Sequence, residues 1–244
     1  MKLLSVNADV KTIKGLKKGY LTGILYLAPN DISGYQVCPK ATTGCKASCL
    51  YTAGRGTYVR IKAARIKKTR MFFENRVEFM SQLHRDIIAL IKRAKKEHRI
   101  PTIRLNGTSD IAWEKISYEY CGIKYRSIIH AFPDIQFYDY TKIPTRRSVE
   151  KIDNYHLTFS LSENNDRAAD FALLTGMNLA VVFDIKKDAE KPKTWSGYPV
   201  IDGDQTDLRF IDKGFNIIGL SAKGKARYDK TGFVRSIHSK LEGS

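Results

Sequence analysis

Residues 101–110 read PTIRLNGTSD, a short apolar segment that is followed at once by polar residues. Ile103 and Leu105 are typical of a buried β-strand. The polar run from Asn106 to Asp110 begins where that strand is expected to end. In parallel α/β folds, and above all in (β/α) barrels, the active site is assembled from residues at the carboxyl ends of several strands. This stretch therefore predicts a parallel α/β fold with a site at the carboxyl edge of its sheet.

Similar strand patterns, rich in β-branched and aromatic residues, recur along the chain. They cover residues 20–29, 134–140, 155–162, 178–184 and 215–224. An amphipathic helix is predicted over about 77–96, where Met80, Leu83 and Ile87 recur at helical spacing. Alternating strands and helices indicate parallel strands joined by crossovers. We expect a single α/β domain over residues 1–244 that forms a full or partial TIM-like (β/α) barrel, with a doubly wound sheet as the alternative.

The chain is strongly basic, with 42 Lys and Arg against 25 Asp and Glu and a net charge of +17. Such a field attracts polyanions, chiefly nucleic acid, because neutralised phosphates release condensed counterions. The alternative is that the excess of lysine only keeps the protein in solution. The sequence contains no apolar stretch long enough for a transmembrane helix, and its first residues lack a signal-peptide pattern. We expect a cytoplasmic protein without a membrane partner.

Three of the four cysteines, Cys38, Cys45 and Cys49, lie in a predicted loop over residues 29–56 with the spacing C-x6-C-x3-C. Three thiolates can hold three irons of a [4Fe-4S] cluster and leave the fourth open, or hold Zn²⁺ with one open position. The spacing does not match the C-x2-C pairs of zinc fingers, and the five histidines are scattered, so we favour iron-sulfur over zinc. We expect Cys121 to be a buried small residue, which leaves the site open; as a fourth ligand it would close the site.

A basic helix is predicted directly after the cysteines, at about residues 58–76. The side chains that we expect to grip a phosphate backbone are Arg60, Arg65, Lys67, Lys68 and Arg70. The alternative is a solvated helix face.

Long motifs that occur in order along the chain resemble the phage gene product 88 domain family. These motifs are LAPNDISGYQVCPKATTGCKASCLYTAGRG, RLNGTSDIAWEK, FPDIQFYDYTK, YHLTFSLSE, VIDGDQTDLRF and GLSAKGKAR. The resemblance spans about residues 18–234 and implies a protein of phages and related mobile elements. It implies no established reaction.

A more distant similarity is to radical S-adenosylmethionine enzymes, which carry a cysteine triad after the first strand of an α/β barrel. Their usual spacing is C-x3-C-x2-C, from which this chain departs. The similarity implies a [4Fe-4S] cluster on the three cysteines, with S-adenosylmethionine as a possible cofactor. The residues implied to bind that cofactor are Asn106, Ser109, Asp110, Ser160 and Glu163. Those implied to face the substrate are Asp139, Tyr140 and Lys223.

Two further hypotheses remain open at this stage. A basic barrel can exchange or remove a base of a polynucleotide through paired carboxylates, with the cysteines holding a structural metal. Its candidates are Asp110, Asp139, Asp202, Asp204 and Asp207, of which the last three can alternatively bind Mg²⁺ or form a surface turn. The other hypothesis is a non-enzymatic DNA-binding accessory of replication or packaging. We favour a nucleic-acid-modifying enzyme that acts on DNA rather than RNA, with Asp110, Asp139, Asp204 and Lys223 as catalytic candidates.

Overall fold

The computed structural model describes residues 1–6, 10–186 and 189–241. Its strands are β1 (Leu4–Val6), β2 (Tyr20–Leu25), β3 (Ile100–Arg104), β4 (Tyr118–Tyr120), β5 (Ile123–Tyr125), β6 (Gln136–Thr141), β7 (Tyr155–Ser160), β8 (Leu179–Phe183), β9 (Thr194–Trp195), β10 (Tyr198–Asp202), β11 (Ile217–Ser221) and β12 (Val234–Arg235). Its helices are α1 (Val10–Leu16), α2 (Thr43–Ala47), α3 (Val59–Glu74), α4 (Arg76–Lys96) and α5 (Asp166–Leu174).

Ten of the strands form one mostly parallel sheet in the described part of the chain, in the order β1-β2-β3-β6-β7-β8-β11-β10-β9, with β12 beside β8. The strands from β2 to β10 in this order all run parallel, and β1 and β9 are antiparallel to their neighbours. Because parallel strands end on the same side, the segments that follow β2, β3, β6, β7 and β11 meet at one edge. We call it the carboxyl edge.

The α/β class is confirmed, together with the six strand patterns and the two helices that the sequence predicts. The closed form of the barrel is not confirmed. Among the described residues the sheet order ends at β1 on one side and β9 on the other, and these two strands do not pair. The parallel strands nevertheless follow one another nearly in chain order, with only β10 and β11 exchanged.

The two faces of the sheet differ in character because side chains alternate along each strand. Leu21, Phe137 and Phe159 point to the apolar face. There α4 packs so closely that a Cβ on Gly23 would lie 2.9 Å from Leu90. A large apolar side chain contributes about 1.5–3 kcal/mol when it is fully buried.

The opposite face carries polar side chains on the central strands, including the hydrogen-bonded pair Thr22 and Thr102. It is covered by α1 and by the segment 203–212, whose Phe210 ring contacts those of Tyr20 and Tyr138. None of the helices in the described ranges is long and apolar enough to span a bilayer.

Candidate metal centre and its surroundings

The cysteine loop is attached to the carboxyl edge at both of its ends. At its start, the Cys38 sulfur accepts a hydrogen bond from the Asn30 backbone N–H at 3.4 Å and donates one to the Thr108 carbonyl at 3.7 Å. Thr108 belongs to the polar run after β3. The first thiol is thereby held against the strand end that the sequence predicts as part of the site.

The second attachment joins α2 to the segment after β7. The Glu163 carboxylate accepts hydrogen bonds from the Gly44 N–H and the Thr42 hydroxyl, both at 2.6 Å, and a third from the Ser162 hydroxyl. These donors together hold the pKa of Glu163 below its usual value, although partial burial opposes them. A Cβ on Gly44 would collide with side-chain atoms of Thr231 and Glu163, so glycine permits this close approach. Glu163, a predicted cofactor-binding residue, fixes the turn that carries Cys45.

The three thiols of the loop act on one another electrostatically. Burial raises the pKa of Cys38 to about 12, and the thiols of Cys49 and Cys45 add to the rise. Burial also raises the pKa of Cys49, whereas the positive charges of Arg65 and Lys142 lower it. The thiols of Cys38 and Cys49 therefore both lie within electrostatic range of Cys45, and Cys49 also lies within range of two cations.

Arg65 is the most unusual of these groups, because it is only 9% exposed and its Nε and Nη1 atoms have no hydrogen-bond partner among the residues that the structure describes. Its guanidinium carbon lies 4.8 Å from the ring centre of Tyr26 and 5.6 Å from that of Tyr51. Burial lowers the pKa of Arg65, and the neighbouring Tyr26, Cys49 and Tyr51 raise it. A buried guanidinium with unused donors is costly unless an anion binds it.

This placement corrects the prediction for Arg65 as a residue that grips a phosphate backbone from an exposed helix face. Lys68 is likewise buried, and its Nζ donates a hydrogen bond to the Leu3 carbonyl at 2.6 Å. Burial lowers the pKa of Lys68 to about 8. Both side chains lie on the inner side of α3, whereas Arg60, Lys67 and Arg70 are exposed as a phosphate-binding helix face requires.

Asn106 and Asp139 form the centre of a buried polar network. The Asp139 carboxylate accepts hydrogen bonds from the Asn106 backbone N–H at 2.6 Å, from the Tyr155 hydroxyl at 2.8 Å and from the Asn106 side-chain amide at 3.2 Å. The Asn106 side-chain oxygen in turn accepts from Ser109, from the Ile111 N–H and from the Trp113 indole. Asn106 and Ser109, predicted to bind a cofactor, shape the loop after β3.

The structure also corrects the prediction that Asp139 faces the substrate. Asp139 is fully buried and shares its side of β6 with Phe137, which belongs to the apolar core. Burial raises the pKa of Asp139 to about 7, although Arg146, Asn106, Arg104 and Tyr155 all lower it. Its role in the fold is to order the loop that bears Asn106.

We expect Asp139→Asn to make the free energy of unfolding less dependent on pH. The folded chain keeps the Asp139 proton up to about pH 7, whereas the unfolded chain releases it near pH 4. Folding stability from this group therefore falls as pH rises through that interval. The measurement is urea unfolding of both proteins at pH 4.5 and 7.5. Relative to wild type, the variant should gain about 3 kcal/mol between the two pH values.

Taking this difference between the two proteins removes the opposing titration of His156, whose pKa burial lowers to about 4. The groups that act on the Asp139 pKa are present in both proteins: Arg146 from the turn after β6, Tyr155 from β7 and, from the opposite face of the sheet, Arg104 of β3. A difference between the two proteins that does not change with pH would show that folded Asp139 is ionised throughout this range.

Asp110 and Ser160 meet at Lys142, the residue directly after β6. The Lys142 backbone N–H donates to Asp110 at 2.8 Å, and its Nζ donates to the Ser160 hydroxyl at 2.7 Å. Asp110 also pairs with the buried Arg146 at 2.9 Å, a residue that sequence reasoning missed. The structure thus brings together strand ends that the sequence places in one site, but it engages Asp110 in an internal ion pair.

Asp204 and Lys223 lie in a cluster of lysines after β10 and β11. The Asp204 carboxylate lies 2.7 Å from Lys223, 3.3 Å from Lys11 and 3.4 Å from Lys191, and it accepts a hydrogen bond from the Ser221 N–H. Lys11, Lys223 and Ser221 hold the pKa of Asp204 far below its usual value against its partial burial. Asp204 therefore stays ionised, so among the roles open to the catalytic carboxylates it does not suit that of a general acid.

Cys121 occupies a different kind of position from the other cysteines. It is exposed, with a positive φ of 51°, and with Gly122 it forms the two-residue turn between β4 and β5. The prediction of a buried Cys121 is therefore wrong. Within the described residues, no group of three or more His, Cys, Asp and Glu side chains is already arranged to hold a metal ion.

The comparison with protein families adds to this geometry. The family model described as Gene product 88 matches residues 2–237. The chain belongs to the Gene product 88 family. No curated protein and no solved structure matches it. For this Gene product 88 chain, the chemistry must therefore be argued from its own side chains.

Proposed function

We propose that this protein binds a [4Fe-4S] cluster through Cys38, Cys45 and Cys49 and uses it to modify nucleic acid at the carboxyl edge. The observation that carries the proposal is the buried Arg65 guanidinium, whose unused donors lie in the electrostatic neighbourhood of the Cys49 thiol. Three cysteine thiolates and their cluster form an anion that such a cation stabilises. We keep Zn²⁺ as the alternative metal.

The donor set fits this group. Thiolates are soft ligands, the Cys45 and Cys49 thiols lie within electrostatic range of Cys38, and Lys142 adds a second positive charge that acts on Cys49. A cluster held by Cys38, Cys45 and Cys49 would have one iron open for an external ligand, such as S-adenosylmethionine, and would supply one-electron chemistry there once an external donor has reduced it. In this proposal Glu163 and Thr108 hold the cysteine loop in place, while Arg65 balances its charge.

We also propose the fold that surrounds the site, its substrate and the compartment of the protein. The nearly sequential order of the parallel strands supports a partial (β/α) barrel in which α1 and the segment 203–212 take the place of the missing strands. The net charge of +17 supports a nucleic-acid substrate, for which we retain DNA over RNA. Thiols that must remain reduced suit the cytoplasm of a host cell.

A base-exchanging enzyme fits the geometry less well. That chemistry needs at least one carboxylate free to reach a sugar, but Asp110 is paired with Arg146, Asp139 is buried, and Asp204 is surrounded by lysines. These engaged carboxylates equally suit the third hypothesis, a DNA-binding accessory with a structural metal. The two surviving proposals differ in what the cysteines bind.

The deciding experiment measures iron, zinc and acid-labile sulfide, with a visible spectrum, on protein purified without oxygen. About four irons per chain and an absorption that bleaches on reduction would support the proposal. One zinc per chain in colourless protein would overturn it in favour of the accessory protein with a structural metal. Protein with neither metal, even after incubation with iron and sulfide, would also overturn it.

A further inference from the structure

A basic groove lies directly beside the cysteine loop and has no counterpart among the predicted sites. Its volume is about 650 Å³, and one wall is formed by residues 46–48, between Cys45 and Cys49, while the other is formed by Lys225 and residues 228–231. The two segments that carry these walls pack together beside the groove, where a Cβ added to Gly224 would lie 2.8 Å from Ala53. Whatever occupies this groove therefore lies next to the proposed metal centre.

The groove is positively charged and its charges are free. Lys46, Lys225 and Lys230 line it and are exposed, and none has an ion-pair partner in the part of the chain that the structure describes. Asp229 is the acidic residue of the lining. Its carboxylate is occupied by the Thr231 hydroxyl at 2.7 Å and the Val234 N–H at 3.0 Å. The groove thus offers three cations to an anionic occupant and little to repel it.

An aromatic ring stands exposed at the same place. Tyr228 is 82% exposed although its neighbour Ala226 is buried. Leu50, on the adjoining turn, is 54% exposed. Exposed aromatic rings beside lysines are the arrangement by which proteins bind unpaired nucleotides, since the ring stacks on a base while the cations hold the phosphates. A duplex does not offer its base faces in this way.

We propose that this groove binds single-stranded nucleic acid, with phosphates on Lys46, Lys225 and Lys230 and a base stacked on Tyr228. The inference rests on the proposed function, since it places the substrate strand beside the cysteines. It also replaces part of the predicted interface, because Arg65 and Lys68 of α3 are buried whereas the groove lysines are not.

The test compares two charge variants that change the net charge equally. Lys225→Glu with Lys230→Glu alters the groove, and Lys92→Glu with Lys95→Glu alters exposed positions on α4. Binding of fluorescent dT20 and U20 is measured by anisotropy between 50 and 300 mM NaCl. The groove variant should bind at least tenfold more weakly at 150 mM NaCl, with a salt slope reduced by about 1.4. The α4 variant should stay within about twofold of wild type.

Tyr228→Ala separates stacking from charge. We expect about tenfold weaker binding with an unchanged salt slope, because stacking releases no counterions. A comparison of dU20 with U20, which differ only in the sugar, identifies whether the groove prefers DNA or RNA. Equal weakening by the groove and α4 variants, or tighter binding of a 20-bp duplex than of dT20 and U20, would overturn the groove assignment.

Metal content is measured on the same variants to keep the two proposals distinct. Normal iron with lost binding supports the groove and leaves the cluster intact. Iron-free wild-type protein that still binds dT20 through the groove lysines would overturn only the proposed cluster. Circular dichroism of each variant confirms that the fold is retained.

Discussion

Replacing Cys38, Cys45 or Cys49 singly with alanine is expected to reduce bound iron from about four atoms per chain to nearly none. The three thiols lie on one loop that Thr108 and Glu163 attach to the carboxyl edge, so loss of any one removes a third of the ligands. Iron and sulfide are measured after anaerobic reconstitution. The matched control is Cys121→Ala, which should bind as much iron as wild type because Cys121 lies in an exposed hairpin turn.

Two outcomes would contradict this expectation. Equal loss in all four variants would indicate a closed site with four thiolates, and such a site has no open iron for an external ligand. Retention of iron in any of the three loop variants would show that the residue concerned is not a ligand. Circular dichroism at the same protein concentration separates loss of ligand from loss of fold.

Much of the fold could be predicted from the sequence because the apolar pattern is local. The apolar residues of the buried strands and of the long amphipathic α4 recur at the spacing of each element, so each can be predicted from its own residues alone. The polar face of the sheet is covered instead by the segment 203–212, whose Phe210 ring contacts Tyr20 and Tyr138. This segment has no regular apolar period, so the pattern that predicts strands could not predict how it packs on the sheet.

The direction in which side chains point was harder to predict from the sequence than the position of the strands. Asp139 lies two positions after Phe137 in β6, so both side chains point to the same face of the sheet. This alternation within QFYDYT was the signal that Asp139 faces the side covered by α4. On α3, Arg65 and Lys68 lie three positions apart on the buried stripe, but their basic character concealed it. The ion pairs of Arg146 join residues more than thirty positions apart, and no local pattern predicts such contacts.

Arg146 is expected to be the most sensitive single position for stability. Its guanidinium is fully buried and donates two hydrogen bonds to Glu114, at 3.1 and 3.0 Å, one to Asp110 at 2.9 Å and one to the Tyr155 hydroxyl at 2.7 Å. Arg146→Met would leave two largely buried carboxylates without their cation. We expect the free energy of unfolding to fall by about 5 kcal/mol. Urea unfolding at pH 7.5 measures it.

An exposed ion pair provides the matched control. Arg85 lies 2.9 Å from Glu78 on α4, and both side chains are largely exposed, so Arg85→Met should cost no more than about 1 kcal/mol. A similar small loss for Arg146→Met would show that the buried pairs do not stabilise the fold. Adding Asp110→Asn and Glu114→Gln to Arg146→Met should restore part of the stability, because it removes the uncompensated charges rather than the packing.

Arg146→Met should also weaken the attachment of the cysteine loop. Arg146 fixes the segment 106–115 through Asp110 and Glu114, and the Thr108 carbonyl in that segment accepts the hydrogen bond from Cys38. We therefore expect reconstituted Arg146→Met to lose iron to a chelator several-fold faster than wild type under conditions where both remain folded. Equal rates would show that the cysteine loop is held by Glu163 and α2 alone, independently of the network behind it.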